Sequence, residues 1–159
     1  MANTELTQTR ADSWRAVVEA YQVCSQRYGS ALNHVDLTPA QFEVMILIRS
    51  LKQNATPKRI AERLLVTKGN ITGVTNRLLI RGLIDRQSHQ TDGRSLVFEL
   101  TSPGQHLLLD ANKVAAEFVR QQLEPFTDEE VEIVGRLMRQ MKQHLLSMDA
   151  DSVVKAALD

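Results

Sequence analysis

The sequence contains a single cysteine and has no apolar run long enough to cross a membrane. Cys24 alone cannot form an internal disulfide or a thiolate-rich metal site, which favours a reducing compartment. The longest aliphatic runs, such as residues 44–48, are far shorter than a bilayer requires. The polar start, MANTELTQTRAD, has no signal-peptide core. We therefore expect a cytoplasmic protein without a membrane segment.

Recognisable catalytic and metal-binding patterns are also absent from the sequence. There is no glycine-rich phosphate loop, no nucleophile elbow, and no histidine or cysteine in a catalytic context. The histidines are scattered over separate predicted elements, which disfavours a metal site: His34, His89, His106 and His144. We expect a protein that is not an enzyme and holds no metal or cofactor.

The net charge is zero, from 19 basic and 19 acidic residues in a chain of 159, a length that suits one domain. The charge is nevertheless uneven, since residues 57–94 contain eight basic and three acidic residues, an excess of five. A basic middle with acidic flanks is typical of a phosphate-facing surface, although an ordinary solvated surface remains the alternative. The basic residues are Lys58, Arg59, Arg63, Lys68, Arg77, Arg81, Arg86 and Arg94, and the acidic ones are Glu62, Asp85 and Asp92.

Apolar spacing and capping residues predict four helices in the first half of the chain. The first covers residues 13–32, and the second, TPAQFEVMILIRSL, opens with a Thr38–Gln41 capping box. The third, TPKRIAERLL, directs Ile60, Ala61, Leu64 and Leu65 inward. The fourth opens after Thr67 and stops at Gly82.

The second half is predicted to contain a hairpin and two further helices. The strands LIDRQS and SLVFEL are joined by HQTDGR, in which Asp92-Gly93 is a strong turn signal. A fifth helix starts at Thr101 or Ser102 and breaks before Pro125. A sixth is capped by Thr127 and Glu130, and the last ten residues are expected to fray.

This order predicts a mainly α protein with a small β-hairpin, namely a winged helix-turn-helix with added terminal helices. We expect one compact protomer with an N-terminal dimerisation helix (1–36), a DNA-binding region (37–101) and C-terminal dimerisation helices (102–159). The first, fifth and sixth helices have apolar faces longer than the central unit can cover, so a second copy is the simplest partner. A monomer whose arms pack together is the alternative.

The fourth helix has an unusual outer face. At 100° per residue, Ile71, Val74, Thr75 and Leu78 point inward and Gly69, Thr72, Gly73 and Asn76 outward, with Lys68, Asn70 and Arg77 at the margins. Small residues and short polar groups suit a major groove, with Thr72, Asn76 and Asn70 as candidates for base contacts and Lys68 and Arg77 for phosphates. Arg94 at the hairpin tip is a candidate for the minor groove. Alternatively, the two glycines permit close helix packing within the protein.

With these segments in order, the chain resembles the MarR family of bacterial transcription regulators. The segments are LTPAQFEVMILI, TPKRIAERLLVTKGNITGVTNRLLIRGLIDR, the wing motif DGR, and LTSPG. The resemblance implies a homodimer with interlaced terminal helices that binds pseudopalindromic double-stranded DNA and represses until a small molecule or oxidant releases it. It also implies that Asp92 holds the wing conformation and that Arg94 enters the minor groove. A winged helix used for protein–protein assembly is the competing hypothesis.

The resemblance further implies an effector pocket between the dimerisation helices and the winged helix. Trp14, Tyr21, Tyr28 and His34 lie in that region and would suit a phenolic or aromatic effector, although core or dimer-interface roles are the alternative. Some relatives sense oxidants through a cysteine near the start of the first helix. Cys24 lies well inside that helix, which favours a buried inert thiol over a redox sensor.

Overall fold

The computed structural model describes residues 7–88 and 96–158, which form seven α-helices, a short 3₁₀ helix and a two-stranded sheet. The predicted mainly α winged helix-turn-helix is confirmed. No helix in these two ranges is long and apolar enough to cross a membrane. The elements are α1 (Gln8–Asn33), α2 (Pro39–Leu51), the 3₁₀ helix (Lys52–Asn54), α3 (Pro57–Leu64), α4 (Lys68–Ile80), β1 (Ile84–Ser88), β2 (Leu96–Leu100), α5 (Ser102–Leu123), α6 (Asp128–Ser147) and α7 (Ala150–Leu158).

Threonine side chains begin most of these helices. Thr38, Thr56, Thr67 and Thr127 each accept a hydrogen bond from a backbone N–H in the first turn that follows. Capping boxes at Thr38 and Thr127 also bring the Gln41 or Glu130 side chain back to the cap N–H, as predicted. These local contacts fix the helix starts because they satisfy backbone donors that the helix itself leaves unpaired.

Three local predictions were wrong at element ends. Thr7 caps α1, so that helix begins at Gln8 rather than near residue 13. Leu65 was expected to face inward, but it ends α3 in a left-handed conformation (φ 55°) and its side chain is 66% exposed. Residues 150–158, where fraying was expected, form α7 instead. In addition, the 3₁₀ helix between α2 and α3 was not foreseen.

The hydrophobic core lies beneath the winged helix-turn-helix and is shared by α1 to α5 and both strands. All four residues predicted for the inner face of α4 are buried, together with the apolar face of α2. The largest fully buried side chains are Leu32, Leu37, Val44, Met45, Ile48, Ile60, Ile71, Leu78, Ile84 and Leu108.

The predicted hairpin pairs in antiparallel register, with Ile84 opposite Leu100 and Arg86 opposite Phe98. The Phe98 N–H also donates to the Ala55 carbonyl at 3.0 Å, so the segment before α3 is bonded to β2. Asp92 and Arg94, the residues predicted for the wing tip, lie outside the described residues.

The start of α5 is held against the turn between α4 and β1. The Thr101 hydroxyl donates to the Gly82 carbonyl at 2.7 Å, and the Thr101 N–H donates to the Leu83 carbonyl at 3.1 Å. Gly104 is buried here, and a Cβ at this position would overlap the Leu83 carbonyl oxygen. Backbone contact at this junction therefore requires glycine.

Two compact units divide the chain, Met1–Phe118 and Val119–Asp159. The first contains the winged helix-turn-helix, and the second contains the end of α5 with α6 and α7. The predicted regions, two for dimerisation and one for DNA binding, were defined by function, whereas these two units are defined by contacts within the chain. The predicted division therefore stays a prediction.

Replacing Gly104 with alanine should destabilise the fold, because the rigid Leu83 backbone must move to admit a methyl group. We expect the free energy of unfolding to fall by about 1–3 kcal/mol, measured by urea denaturation at fixed protein concentration. Gly29→Ala is the matched control, since a Cβ there meets only Pro39 at an ordinary 3.7 Å. Equal stability of Gly104→Ala and the wild type would contradict the junction's tight packing.

Candidate nucleic-acid interface

The outer face of α4 carries a row of small and short polar residues, called here the outer strip: Gly69, Thr72, Gly73 and Asn76. All four are exposed, as are Lys68, Asn70 and Arg77 at its margins. The inner stripe of the same helix is buried in the core, so the helical period turns the outer strip to solvent. Each of these residues therefore lies on the side that the sequence predicts.

The two glycines of the outer strip are not used for packing within the described chain. A Cβ at Gly73 would meet nothing within 4 Å, and one at Gly69 would meet only the Thr67 hydroxyl oxygen, at 3.9 Å. The alternative that these glycines permit close packing of helices inside the protein is therefore wrong for the described residues. What the glycines provide is a surface that another molecule can approach to the level of the helix backbone.

Two polar side chains on the outer strip have defined hydrogen-bond partners. The Thr72 hydroxyl donates to the Lys68 carbonyl at 3.0 Å, which leaves its oxygen lone pairs as acceptors. The Asn76 side-chain oxygen Oδ1 accepts from Arg86 Nη2 at 2.8 Å. Arg86, on β1, is one of the eight basic residues in the range 57–94, called here the basic segment. It was not among the predicted site residues. No local signal reveals its contact, because its partner belongs to a different element.

The cations of the basic segment serve different purposes. Arg81 Nη1 donates to the Asp36 carbonyl at 2.6 Å, so this side chain ties the end of α4 to the loop after α1. Lys58 Nζ lies 3.9 Å from a Glu62 carboxylate oxygen on the exposed surface of α3, where such a pair contributes little stability. Exposed Lys68 and Arg77 remain at the margins of the outer strip.

The residues predicted for an effector pocket differ in environment. Trp14 and Tyr21 on α1 are 66% and 72% exposed. Tyr28 is half-buried, with its ring centroid 5.1 Å from that of Phe118 and 6.5 Å from that of Phe42. Burial raises the pKa of the Tyr28 hydroxyl, and the nearby Glu43 and Cys24 raise it further, so the phenol stays neutral at physiological pH. A pocket role for these residues stays a prediction.

His34 lies just after α1, exposed, with its Nδ1 atom 2.8 Å from the Ser30 carbonyl oxygen. Cys24 is only partly buried, rather than fully buried as the inert-thiol interpretation expects, and a redox role stays untested. No cluster of metal-binding side chains occurs in ranges 7–88 and 96–158.

A cavity of about 750 Å³ lies between the end of α2, the 3₁₀ helix, β2 and α5. Its apolar lining includes Ile48, Phe98 and Leu108, and its charged lining includes Arg49 and Lys52. The four residues predicted for the effector pocket do not line it. Sequence periodicity could not reveal this cavity because it depends on how four separate elements meet.

Known proteins with similar sequences and structures agree with the winged helix-turn-helix described above. A family model described as MarR family matches residues 35–95, which covers most of the winged helix-turn-helix. The chain is 26% identical over 110 residues to the HTH-type transcriptional repressor YetL of Bacillus subtilis, covering 69% of this chain and 66% of YetL. The chain is similar to proteins of the MarR family.

Solved structures of two DNA-bound regulators share the fold. A mutant MarR from Escherichia coli complexed with operator DNA matches with a TM-score of 0.72 and 24% identity, covering 80% of this chain and 91% of that one. The transcriptional repressor CouR bound to a 23-mer DNA duplex matches with a TM-score of 0.73 and 23% identity, covering 89% and 96%.

YetL is described as an HTH-type transcriptional repressor, and CouR as a transcriptional repressor. Similarity to these regulators agrees with the expectation, drawn from the missing catalytic motifs, that the chain is not an enzyme. Helices α3 and α4 both lie within the matched residues 35–95.

A Cβ at Gly73 would meet no atom of the described residues within 4 Å, so Gly73→Ala should stabilise the protein. Alanine favours a helix interior by about 1 kcal/mol over glycine, and the added methyl meets nothing. We expect a higher urea midpoint. Gly82→Ala is the opposing control, since Gly82 has φ +65° and a side chain there costs roughly 1–2 kcal/mol. A destabilised Gly73→Ala variant would mean that the glycine is needed inside the fold.

Proposed function

We propose that this chain is a homodimeric, sequence-specific DNA-binding repressor that leaves a pseudopalindromic operator when a small-molecule effector binds. The observation that carries this proposal is the outer strip of α4, exposed along its length and bare at both glycines. A helix must lie deep in the major groove before short side chains can reach base edges, and side chains at Gly69 and Gly73 would keep it out.

Residues along the outer strip have distinct roles in this proposal. Thr72 and Asn76, with Asn70, contact bases, because their short polar groups match the hydrogen-bonding edges in the major groove. Lys68 and Arg77 bind phosphates beside the groove, and Arg94 at the wing tip reaches the minor groove with Asp92 holding the wing. Phosphate contacts set position and affinity, whereas base contacts set sequence preference.

Two related structures, each with DNA bound, support duplex DNA as the partner. MarR is complexed with operator DNA, and CouR is bound to a DNA duplex. The name of YetL, a transcriptional repressor, favours repression as the outcome of binding.

Exposed apolar side chains support the homodimer. On α6, one face at helical spacing presents five such residues: Val134, Leu137, Met138, Met141 and Leu145. Exposed rows of this kind mark protein interfaces, and a two-fold copy buries the same face on both protomers. Two α4 helices related by a two-fold axis fit half-sites centred about 10 base pairs apart, or a multiple of that.

The effector is proposed to be a phenolic or aromatic molecule bound near Trp14, Tyr21, Tyr28 and His34. Tyr28 supports this part, because its neutral ring already packs against Phe42 and Phe118 and would offer an aromatic ligand an edge or face. A ligand there would act by favouring a different spacing of the two α4 helices.

Salt dependence and base preference test DNA binding directly. Wild-type affinity for a selected duplex should fall by roughly a thousandfold or more between 50 mM and 200 mM salt. Arg94→Ala should weaken binding to every duplex and lower the salt slope by about 1. Asn76→Ala should instead remove about 1–3 kcal/mol of discrimination at one base pair per half-site. Fluorescence anisotropy titrations across salt concentrations measure all three effects.

Gly73→Leu provides a steric test on the same duplex. Leucine is a good helix former, and a Cβ at position 73 meets no described atom within 4 Å. The variant should therefore fold normally yet lose affinity for DNA because the side chain holds the helix out of the groove. Weak, salt-independent binding of the wild type to all duplexes would instead favour the protein–protein assembly module.

The homodimer is tested by placing a charge on the apolar face of α6. Leu137→Asp should shift the protein towards monomer in sedimentation velocity, because an unpaired carboxylate would be buried between the protomers. Gln143→Asp places the same charge on the opposite, exposed side of α6 and should leave the dimer intact. An unchanged sedimentation coefficient for Leu137→Asp would exclude this face as the interface.

A further inference from the structure

We propose that Arg86 is a positioning residue for base recognition, which holds the Asn76 amide so that it presents N–H donors and prefers guanine to adenine. This inference rests on the proposed DNA binding, and it adds the type of base that one position of α4 selects.

The contact between the two side chains fixes the orientation of the amide. Arg86 Nη2 lies 2.8 Å from Asn76 Oδ1. A guanidinium can only donate hydrogen bonds, so the amide atom that faces it must be the oxygen. The other amide atom, Nδ2, is therefore directed away from Arg86 with its two hydrogens available. An amide without such a partner could present either atom.

Both side chains extend from firmly held backbone. Asn76 follows Thr75, whose hydroxyl is buried and donates to the Ile71 carbonyl at 2.9 Å. Arg86 lies opposite Phe98 in the sheet, and Phe98 is buried in the core. The pair is thus preformed, and a ligand does not have to order it.

The pair also lies where a base edge can reach it. Asn76 and Arg86 are exposed, and with Leu79 and Ile80 they line a surface groove of about 540 Å³ between the last turns of α4 and β1. Asn76 belongs to the outer strip, which is exposed along its length.

Base chemistry then determines the preference. An asparagine whose amide is unrestrained pairs with adenine by accepting from N6 and donating to N7. In this protein Arg86 takes one of the two lone pairs of Oδ1. Its cation then lies beside the other lone pair, where it repels the positively polarised N6 amino group of adenine. Guanine presents only acceptors, N7 and O6, to the major groove, so Nδ2 can donate to it without disturbing Arg86. Cytosine presents only a donor there and is disfavoured.

The test uses the full-length protein and duplexes selected from a library with a randomised central segment. The base pair read by Asn76 is the one at which Asn76→Ala loses preference. Four duplexes that differ only at that base pair are then compared by competition binding. We expect the wild type to favour guanine over adenine by roughly fivefold or more.

Arg86→Met removes the donors and keeps most of the side-chain length. It should shift the guanine-to-adenine ratio towards adenine by about fivefold or more, since Oδ1 can then accept from adenine N6. Arg63→Met, the control, removes an exposed cation from α3 and should weaken all four duplexes equally. In the Asn76→Ala background, Arg86→Met should leave the four relative affinities unchanged, because no amide remains to be positioned.

Asn76→Asp gives a second, independent measurement with Arg86 intact. Its carboxylate still accepts from Arg86 but has no N–H groups, so the preference for guanine should disappear while DNA binding continues. If the wild type binds DNA sequence-specifically but Arg86→Met leaves the base ratio unchanged, the positioning role is overturned and the proposed function stands. Absence of sequence-dependent binding by the wild type would overturn both.

Discussion

Burial of one stripe of α4 is the constraint on which the rest of this structure depends. Ile71, Val74, Thr75 and Leu78 are buried in the core. Because residues three or four apart share a face of a helix, placing this stripe inside forces the outer strip into solvent. The helix therefore gains its stability from tertiary packing of one face, which lets the opposite face keep two glycines that an isolated helix would tolerate poorly.

Contacts at the C-terminal end of α4 fix the direction of this helix. The same contacts bring strand β1 beside it. Arg81 bonds to the Asp36 carbonyl, and the turn that follows is held against α5 through Thr101 and Gly104. The Phe98 N–H bonds to Ala55 and secures β2, and with it β1. As a result Arg86 meets Asn76 without any rearrangement, which is the form of preorganisation that reduces the entropic cost of recognition.

The net charge of zero gives no indication that the basic residues of this protein have different structural roles. The basic excess in residues 57–94 includes Arg81, which supports the fold, and Arg86, which holds a neighbouring side chain. Lys68 and Arg77 lie at the margins of a surface with few bulky groups. Counting charges along the sequence locates the basic range 57–94. The role of each basic side chain, however, depends on the group that it contacts.

Local interactions explain which features could be derived from the sequence. Helix caps, the inner and outer faces of α4, the left-handed Gly82 and the hairpin all follow from contacts within a few residues or from helical and strand periods. Tertiary structure alone decided that no residue in the ranges 7–88 and 96–158 packs on Gly73, that Leu65 turns outward, and that Arg86 reaches Asn76. The physical reason is that these features depend on the relative positions of separate elements, which the periodicity of each element taken alone does not contain.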